Sequence, residues 1–345
     1  MASPDVIIAG AGIIGVSVAL ELQERGAAVL VLDRGEPGKE ASSAAAGMLA
    51  ALDPETPVPL RALALESARL FPSYVRKIEE ISGMKVDFRL QGTISLLKDE
   101  LAPPGYQPLS GEDLVRLEPA LGTRDYRAFF LEEASVDPPL LIRAALRAAA
   151  AKGIEVRAHT EVKEIRFQAG CVAIVTGGDR LSSSVAVNCR GAWSGDPVRP
   201  RKGQMLSVPQ PASALLEHVV MTPEVYLVPR SSGKIVIGAT VEDVGFDKTV
   251  QPATIHTLHQ TASRFVPDLE KAPVIESWAG MRPGSPDDLP LLGETDTPRV
   301  FAATGHFRNG ILLAPFTARI MANLITGKPA GMDISAFSPE RFVAA

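Results

Sequence analysis

The sequence predicts an α/β fold with an α+β part. A layered domain of parallel strands and helices is interleaved along the chain with a second domain built on a mainly antiparallel sheet. Three observations predict it. Asp5 to Asp33 reads as strand, glycine-rich turn, helix and strand. The middle of the 345-residue chain holds short alternating runs that suit antiparallel strands. The last third returns to a strand, loop and helix, Val300 to Ile325, that belongs in one layer with the first stretch. Two such domains meet in a cleft, a common place for a ligand.

The opening stretch is the most informative. Val6 to Ala9 is an apolar, β-rich run, and Gly10, Gly12 and Gly15 follow it in the spacing G-x-G-x-x-G. Ile13 and Ile14 begin a helical segment, and Val29 to Leu32 forms a second strand that ends in Asp33 and Arg34. This is a Rossmann-like dinucleotide unit. The first glycine permits a tight turn, the second a close approach of a pyrophosphate, and the third close packing of helix on strand. The helix N-terminus offers free N–H groups and a positive dipole end to the phosphates. Asp33 is placed to accept hydrogen bonds from a ribose hydroxyl. Val6 to Leu20 carries no charge, but Asp5 and no basic residue stands before it, unlike a secretory signal.

The remaining elements follow in order. Ala41 to Met48 is a run of small residues and hydroxyls, including Ser42, Ser43, Ala45, Ala46 and Gly47. Its alanines suit a helix start, and its place after the second strand suits a bulky planar ligand lying against backbone. Leu60 to Ile81 has apolar residues at helical spacing. Val86 to Leu97 alternates as strands with a bend at Gly92. Ser110 and Asp113 resemble a capping box for a helix ending at Leu117. Tyr126 to Leu131 is a strand. Pro138 opens a helix that Lys152-Gly153 ends. Strands follow at Ile154–Arg157, Glu161–Phe167 (with Val162), Cys171–Thr176 and Ser184–Asn188, the last running into a turn at Gly191. Val225–Val228 and Lys234–Thr240 make a hairpin, Ala253–Phe265 a helix, and Val274–Trp278 a strand. Gly280 to Asp287, dense in Gly and Pro, is expected to be irregular. Thr304 to Gly310 is a loop, and Ile311 to Ile325 a helix ended by Gly327 and Pro329.

Composition excludes several classes. With 40 acidic and 35 basic residues the formal net charge is −5, which points to neither a nucleic acid nor an anionic membrane surface. No uncharged run is as long as a membrane span. Cys171 and Cys189, with no C-x-x-C, fit a reducing cytoplasmic setting as buried apolar residues. The five histidines do not cluster with acids at metal-ligand spacings, and His256 and His259 read as a polar surface pair.

The opening motif, the run SSAAAGML, the segment ESWAGMRPGSPDDLPLLG and the segment FAATGHFRNGILLAP together resemble the D-amino-acid oxidase superfamily. Within it they look most like the glycine oxidase family of the thiamine-biosynthesis type. The resemblance runs from about Asp5 to about Ile325. It implies a non-covalent FAD, with an FAD-binding domain over 1–85, 138–200 and 282–345 and a substrate domain over 86–137 and 201–281. It also implies a small amino-acid substrate, molecular oxygen as acceptor, and a homo-oligomer, a tetramer in this family. By position, Arg282 would clamp the substrate carboxylate, Tyr226 would hydrogen-bond it, and Arg308 would line the pocket near substrate or flavin. Met48 and Val241 would border that pocket, and Val241 replaces a methionine of the best-known relatives. The cofactor contacts implied are Gly10, Gly12, Ile13, Ile14, Gly15, Asp33, Arg34, Ser42, Ser43, Ala45, Ala46, Gly47, Met48, Val162, Gly191, Arg282, His306, Arg308, Asn309, Gly310 and Ile311.

Such chemistry needs a neutral amine and a Cα–H directed at flavin N5; the cofactor carries the hydride. The planar fork of an arginine suits a carboxylate. The start of the last helix, at Gly310 and Ile311, suits negative charge on reduced flavin. Taken singly, Arg282 and Arg308 could be surface cations and Tyr226 a packed strand residue. His306 is not required as a base. Two alternatives stay open. One is a dehydrogenase of the same superfamily that passes electrons to a quinone or protein carrier. The other is a flavin-binding protein without turnover.

Overall fold

The computed structural model describes residues 3–97, 107–122, 126–212 and 215–342. A six-stranded sheet has the order β18 (Leu291–Glu294), β19 (Val300–Thr304), β12 (Val185–Asn188), β1 (Val6–Ala9), β2 (Val29–Leu32) and β8 (Glu155–Arg157). Its strands run parallel except β18, which pairs antiparallel with β19. One face packs on α1 (Ile13–Glu24), α3 (Val58–Ser82), α5 (Pro138–Ala151) and α7 (Gly310–Ile325). The other face is covered by a three-stranded antiparallel sheet, β9 (Val162–Gln168), β10 (Cys171–Thr176) and β11 (Arg180–Ser183). Being covered on both sides explains why β1 and β2 are continuous apolar runs rather than alternating ones.

The second large sheet has seven strands: β17 (Glu276–Gly284), β13 (Arg199–Pro209), β16 (Lys234–Gly238), β15 (Tyr226–Pro229), β14 (Val219–Met221), β5 (Thr93–Leu97) and β6 (Arg127–Leu131). Only the β14–β5 pair is parallel. Its rear face packs on α6 (Pro252–Phe265), and the short α4 (Gly111–Leu117) lies beside the same cluster. A small sheet of β3 (Met48–Leu49), β7 (Ala134–Val136) and β4 (Phe88–Arg89) stands close to α2 (Ala41–Ala44). The mixed α/β fold with an interleaved, mainly antiparallel sheet is therefore present.

Local expectations are met where end signals are strong. Ser110 accepts the Asp113 N–H at the start of α4, and Asp137 caps α5 by accepting from Leu140. The run Leu60–Ile81 is one helix, α3, with Pro72 inside it. The small-residue run splits between α2 and β3.

Three expectations are corrected. Gly280 to Gly284 is regular: it is the second half of β17, in register with β13. Pro283 stands opposite Pro200, so neither residue asks the other for an N–H, and β17 is an edge strand. Thr304 ends β19, and Phe307–Asn309 forms a 3-10 turn rather than open loop. Cys189 is buried, but Cys171 begins β10, the middle strand of the three-stranded sheet, and is only partly covered. The eleven-residue β13, absent from the expectations, is buried along most of its length and so shows no alternation.

Candidate active site

A deep cavity runs from the glycine-rich turn, past the 41–48 run and the start of α7, to the front face of the seven-stranded sheet. At one end the turn is built by close approach. A Cβ on Gly10 would lie 2.2 Å from the Cys189 carbonyl oxygen, and one on Gly15 would lie 2.0 Å from the Gly10 oxygen. Gly12, Ile13 and Ile14 face the cavity. Gly12, the N-cap of α1, offers no side-chain cap. Ser42 Oγ accepts the Ile13 N–H at 2.9 Å, and Val16 donates to the Gly12 carbonyl. The other first-turn N–H groups are left for a ligand. A phosphate fits this cradle of bare backbone at a helix N-terminus.

Asp33 supports the turn from the side. Its carboxylate accepts from Ala11 N at 2.7 Å and Gly35 N at 2.9 Å. Burial raises its pKa, opposed by those same two bonds. Asp33 does not line the cavity, nor do Gly10, Gly15, Arg34, Ser43 and Val162. Arg34 lies over the Trp193 ring at 4.5 Å, Ser43 Oγ donates to the Gly38 carbonyl, and the Val162 carbonyl accepts from Arg190.

The middle of the cavity is lined by Ser42, Ala45, Ala46, Gly47 and Met48. Side chains of the second sheet pin this run. Trp278 Nε1 donates to the Ala44 carbonyl at 3.1 Å, and buried Arg230 donates to the Ala46 carbonyl. Gly191, His306, Asn309, Gly310 and Ile311 line it from the parallel sheet's carboxyl edge. His306 is buried, and its Nε2 lies 3.1 Å from Thr317 Oγ1 in α7. Burial pushes its pKa down to about 3, so the ring is neutral at physiological pH.

At the sheet end stand Tyr226, Val241 and Arg282, with Met205 as the floor. Arg282 on β17 reaches across Gly203 of the neighbouring β13, and its Nη1 donates to the Thr240 carbonyl at 2.9 Å. A Cβ on Gly203 would lie 2.2 Å from that Nη1. Gly238 does the same for Tyr226, whose hydroxyl oxygen would be 2.5 Å from a Cβ there. Burial raises the Tyr226 pKa, and the adjacent Arg282 opposes the shift without reversing it. The hydroxyl therefore stays protonated and can donate. Arg308 lies at the mouth, exposed, 3.6 Å from Glu55.

Most of the predicted residues are thus brought to one cavity from positions nearly three hundred residues apart. Sequence reasoning missed Gly203, Gly238, Thr240 and Met205. Their signal lies in strand register, which no local pattern carries. Among the described residues no group of His, Cys, Asp and Glu could hold a metal ion. No helix among them is long and apolar enough to cross a membrane.

Residues 5–324 match the family described as FAD dependent oxidoreductase. The chain is 36% identical to the "Bifunctional protein ThiO/ThiG" of Trichormus variabilis, aligning 98% of itself with 55% of that protein. It thus spans about half the length of such bifunctional relatives. It is 33% identical to the glycine oxidase of Geobacillus kaustophilus, over 98% of this chain and 97% of that one. The crystal structure of glycine oxidase from that organism superposes with a TM-score of 0.94, covering 100% of both chains at 33% identity. That of Bacillus cereus glycine oxidase gives 0.87 at 31% identity, covering 95% of this chain and 98% of that one.

Proposed function

The chain belongs to the FAD-dependent oxidoreductase family, and from that premise we propose that it oxidises glycine or another small amino acid, with molecular oxygen as electron acceptor. The observation that carries this reading is the Arg282–Tyr226 pair, set in the same cavity as the nucleotide turn. FAD, when bound, supplies a two-electron acceptor for hydride from the substrate Cα and returns the electrons to oxygen.

The chain's own residues do the rest. Arg282 has donors beyond the one held by Thr240, and a guanidinium matches a carboxylate with charge-assisted hydrogen bonds. Tyr226 adds a neutral donor beside it. Fixing the carboxylate fixes the direction of the Cα–H and so contributes through orientation. His306 is buried, neutral and bound to Thr317, so no general base is assigned to it, and the amine must enter the reaction neutral. The N-terminal turn of α7, at Gly310 and Ile311, lines the cavity, and its positive end would favour negative charge on a bound reduced flavin. The substrate loses a hydride from Cα and a proton from nitrogen. Water converts the resulting imine to the oxo acid and ammonia, and oxygen becomes hydrogen peroxide.

The same reading assigns 1–85, 138–200 and 282–345 to the cofactor domain and 86–137 and 201–281 to the substrate domain. Strands β13 and β17 cross the boundaries between them.

A substrate panel of glycine, sarcosine, D-alanine and D-proline, with flavin absorbance, oxygen uptake and peroxide all followed, tests the proposal. Flavin bleaching with stoichiometric peroxide is expected. Bleaching without oxygen uptake would transfer the acceptor role to a carrier. An unresponsive flavin with every amine would reject the reading.

A further inference from the structure

The rear of the seven-stranded sheet carries a polar cluster that the chemistry above does not use. Lys202 on β13 is fully buried, and its Nζ has no hydrogen-bond partner. Glu242 Oε2 lies 3.5 Å from it. Burying an ammonium is costly unless it is paired, so the pair asks for a reason. Alternation along β13 places Lys202 and Gln204 on the face of Leu206 and Val208, which packs on α6. Gly203 and Met205 take the opposite, cavity-side face.

Several bonds converge on the carboxylate of Glu242. Gln204 Nε2 donates to Oε1 at 2.8 Å, and the Thr240 hydroxyl donates to the same oxygen. Lys202 and Glu242 also exchange backbone hydrogen bonds of 2.9 Å in both directions. Gln204 N donates to Thr240 Oγ1 at 2.9 Å, and Gln204 Oε1 accepts from Gln251 N at 2.7 Å. The segment 239–251 is thereby tied to β13 near both of its ends. Thr240 faces two ways. Its hydroxyl is held by Glu242, while its carbonyl accepts from Arg282 Nη1 at 2.9 Å.

We propose that Glu242, with Lys202 as its buried counter-ion, is a positioning residue for the substrate carboxylate. By fixing Thr240 it fixes the guanidinium of Arg282. The inference rests on the reading of Arg282 as the carboxylate clamp. Glu242 touches neither substrate nor cofactor; it acts through one carbonyl. Its loss therefore loosens carboxylate binding and leaves the cofactor cradle, which lies at the other end of the cavity, as it was.

The test uses purified, flavin-loaded enzyme and two readouts: glycine kinetics, and the acetate-induced change in flavin absorbance. Glu242→Ala is expected to raise KM for glycine and the dissociation constant for acetate by a common factor of about ten (~1.4 kcal/mol). Its kcat and flavin content stay close to wild type. Glu242→Gln combined with Lys202→Met keeps an acceptor for the Thr240 hydroxyl without leaving a buried cation unpaired, and is expected to recover most of the loss. Should Glu242→Ala fail to fold, Thr240→Val, which cuts the same link at constant volume, is judged by the same two readouts. Unchanged KM and acetate affinity overturn the proposal, as does a kcat that falls together with flavin content. A wild type that neither turns over any amine of the panel nor responds to acetate overturns the underlying reading of function as well. A responsive wild type beside an unaffected variant overturns this inference alone.

Discussion

Arg282 reaches the cavity because position 203 carries no side chain. Its guanidinium lies flat across β13, where a Cβ at Gly203 would be 2.2 Å from Nη1. The displaced atoms are the far end of a flexible side chain, so Gly203→Ala is expected to fold and to keep flavin. KM for glycine should rise about tenfold, equivalent to ~1.4 kcal/mol of lost binding. Wild-type kinetics in that variant would mean the guanidinium does not hold the substrate from where it lies. Arg282→Ala removes the charge itself. Hydrogen bonds to charged groups contribute roughly 1.5–3 kcal/mol each, so KM should rise by one to two orders of magnitude or more, with flavin retained. Tyr226→Phe removes a neutral donor and should cost about fivefold, near 1 kcal/mol. None of these partners is legible locally. Arg282 and Gly203 are 79 positions apart and meet only through the pairing of β13 with β17.

One short segment, residues 50–53, borders the cavity and is held by a buried carboxyl. Glu133 accepts the Leu52 N–H at 2.8 Å, and both Ala50 and Asp53 line the cavity. Burial pushes the Glu133 pKa up to about 7, with hydrogen bonds from Leu52 and Thr93 opposing and the charge of Asp53 reinforcing the rise. The folded protein thus holds this proton more tightly than the unfolded chain. Its contribution to stability is complete below the ordinary carboxyl pKa near 4.5 and is lost as pH rises through about 7. The full swing is on the order of 3 kcal/mol. Glu133→Gln keeps an acceptor for Leu52 without the ionisation. Its Tm should exceed that of wild type at pH 8 and match it near pH 5. Parallel Tm curves across that range would show that Glu133 does not titrate with folding. Elements themselves were legible where end signals are strong, as in α4 and α5 with their Ser110 and Asp137 caps. Gly and Pro misled at β17, because an edge strand facing a second proline needs no N–H at that position.

Across the whole molecule, one cavity is lined from two different sheets, and the 41–48 run is the seam between them. Trp278 and Arg230 of the antiparallel sheet donate into that run, while Ser42 takes the Ile13 N–H of α1. Flavin attachment is a property at this scale. Cys189 lines the cavity beside the glycine-rich turn rather than beside Arg282, and burial raises its thiol pKa, so the thiol stays protonated and a poor nucleophile. The flavin is therefore expected in the supernatant after heat or acid precipitation, and a yellow pellet would contradict non-covalent binding. By itself the sequence determined the nucleotide unit, because strand, turn and helix there are contiguous and each glycine serves a neighbour a few residues away. It also marked Arg282, Tyr226 and the start of α7 through the family resemblance of their segments. Only the tertiary structure decided what brings those residues together in one cavity and in what state: the clearance at Gly203 and Gly238, the Thr240 carbonyl, and the neutral, buried state of His306. Register and burial are set by strands that pair across long stretches of chain, so the physical cause of each lies outside any local window of sequence.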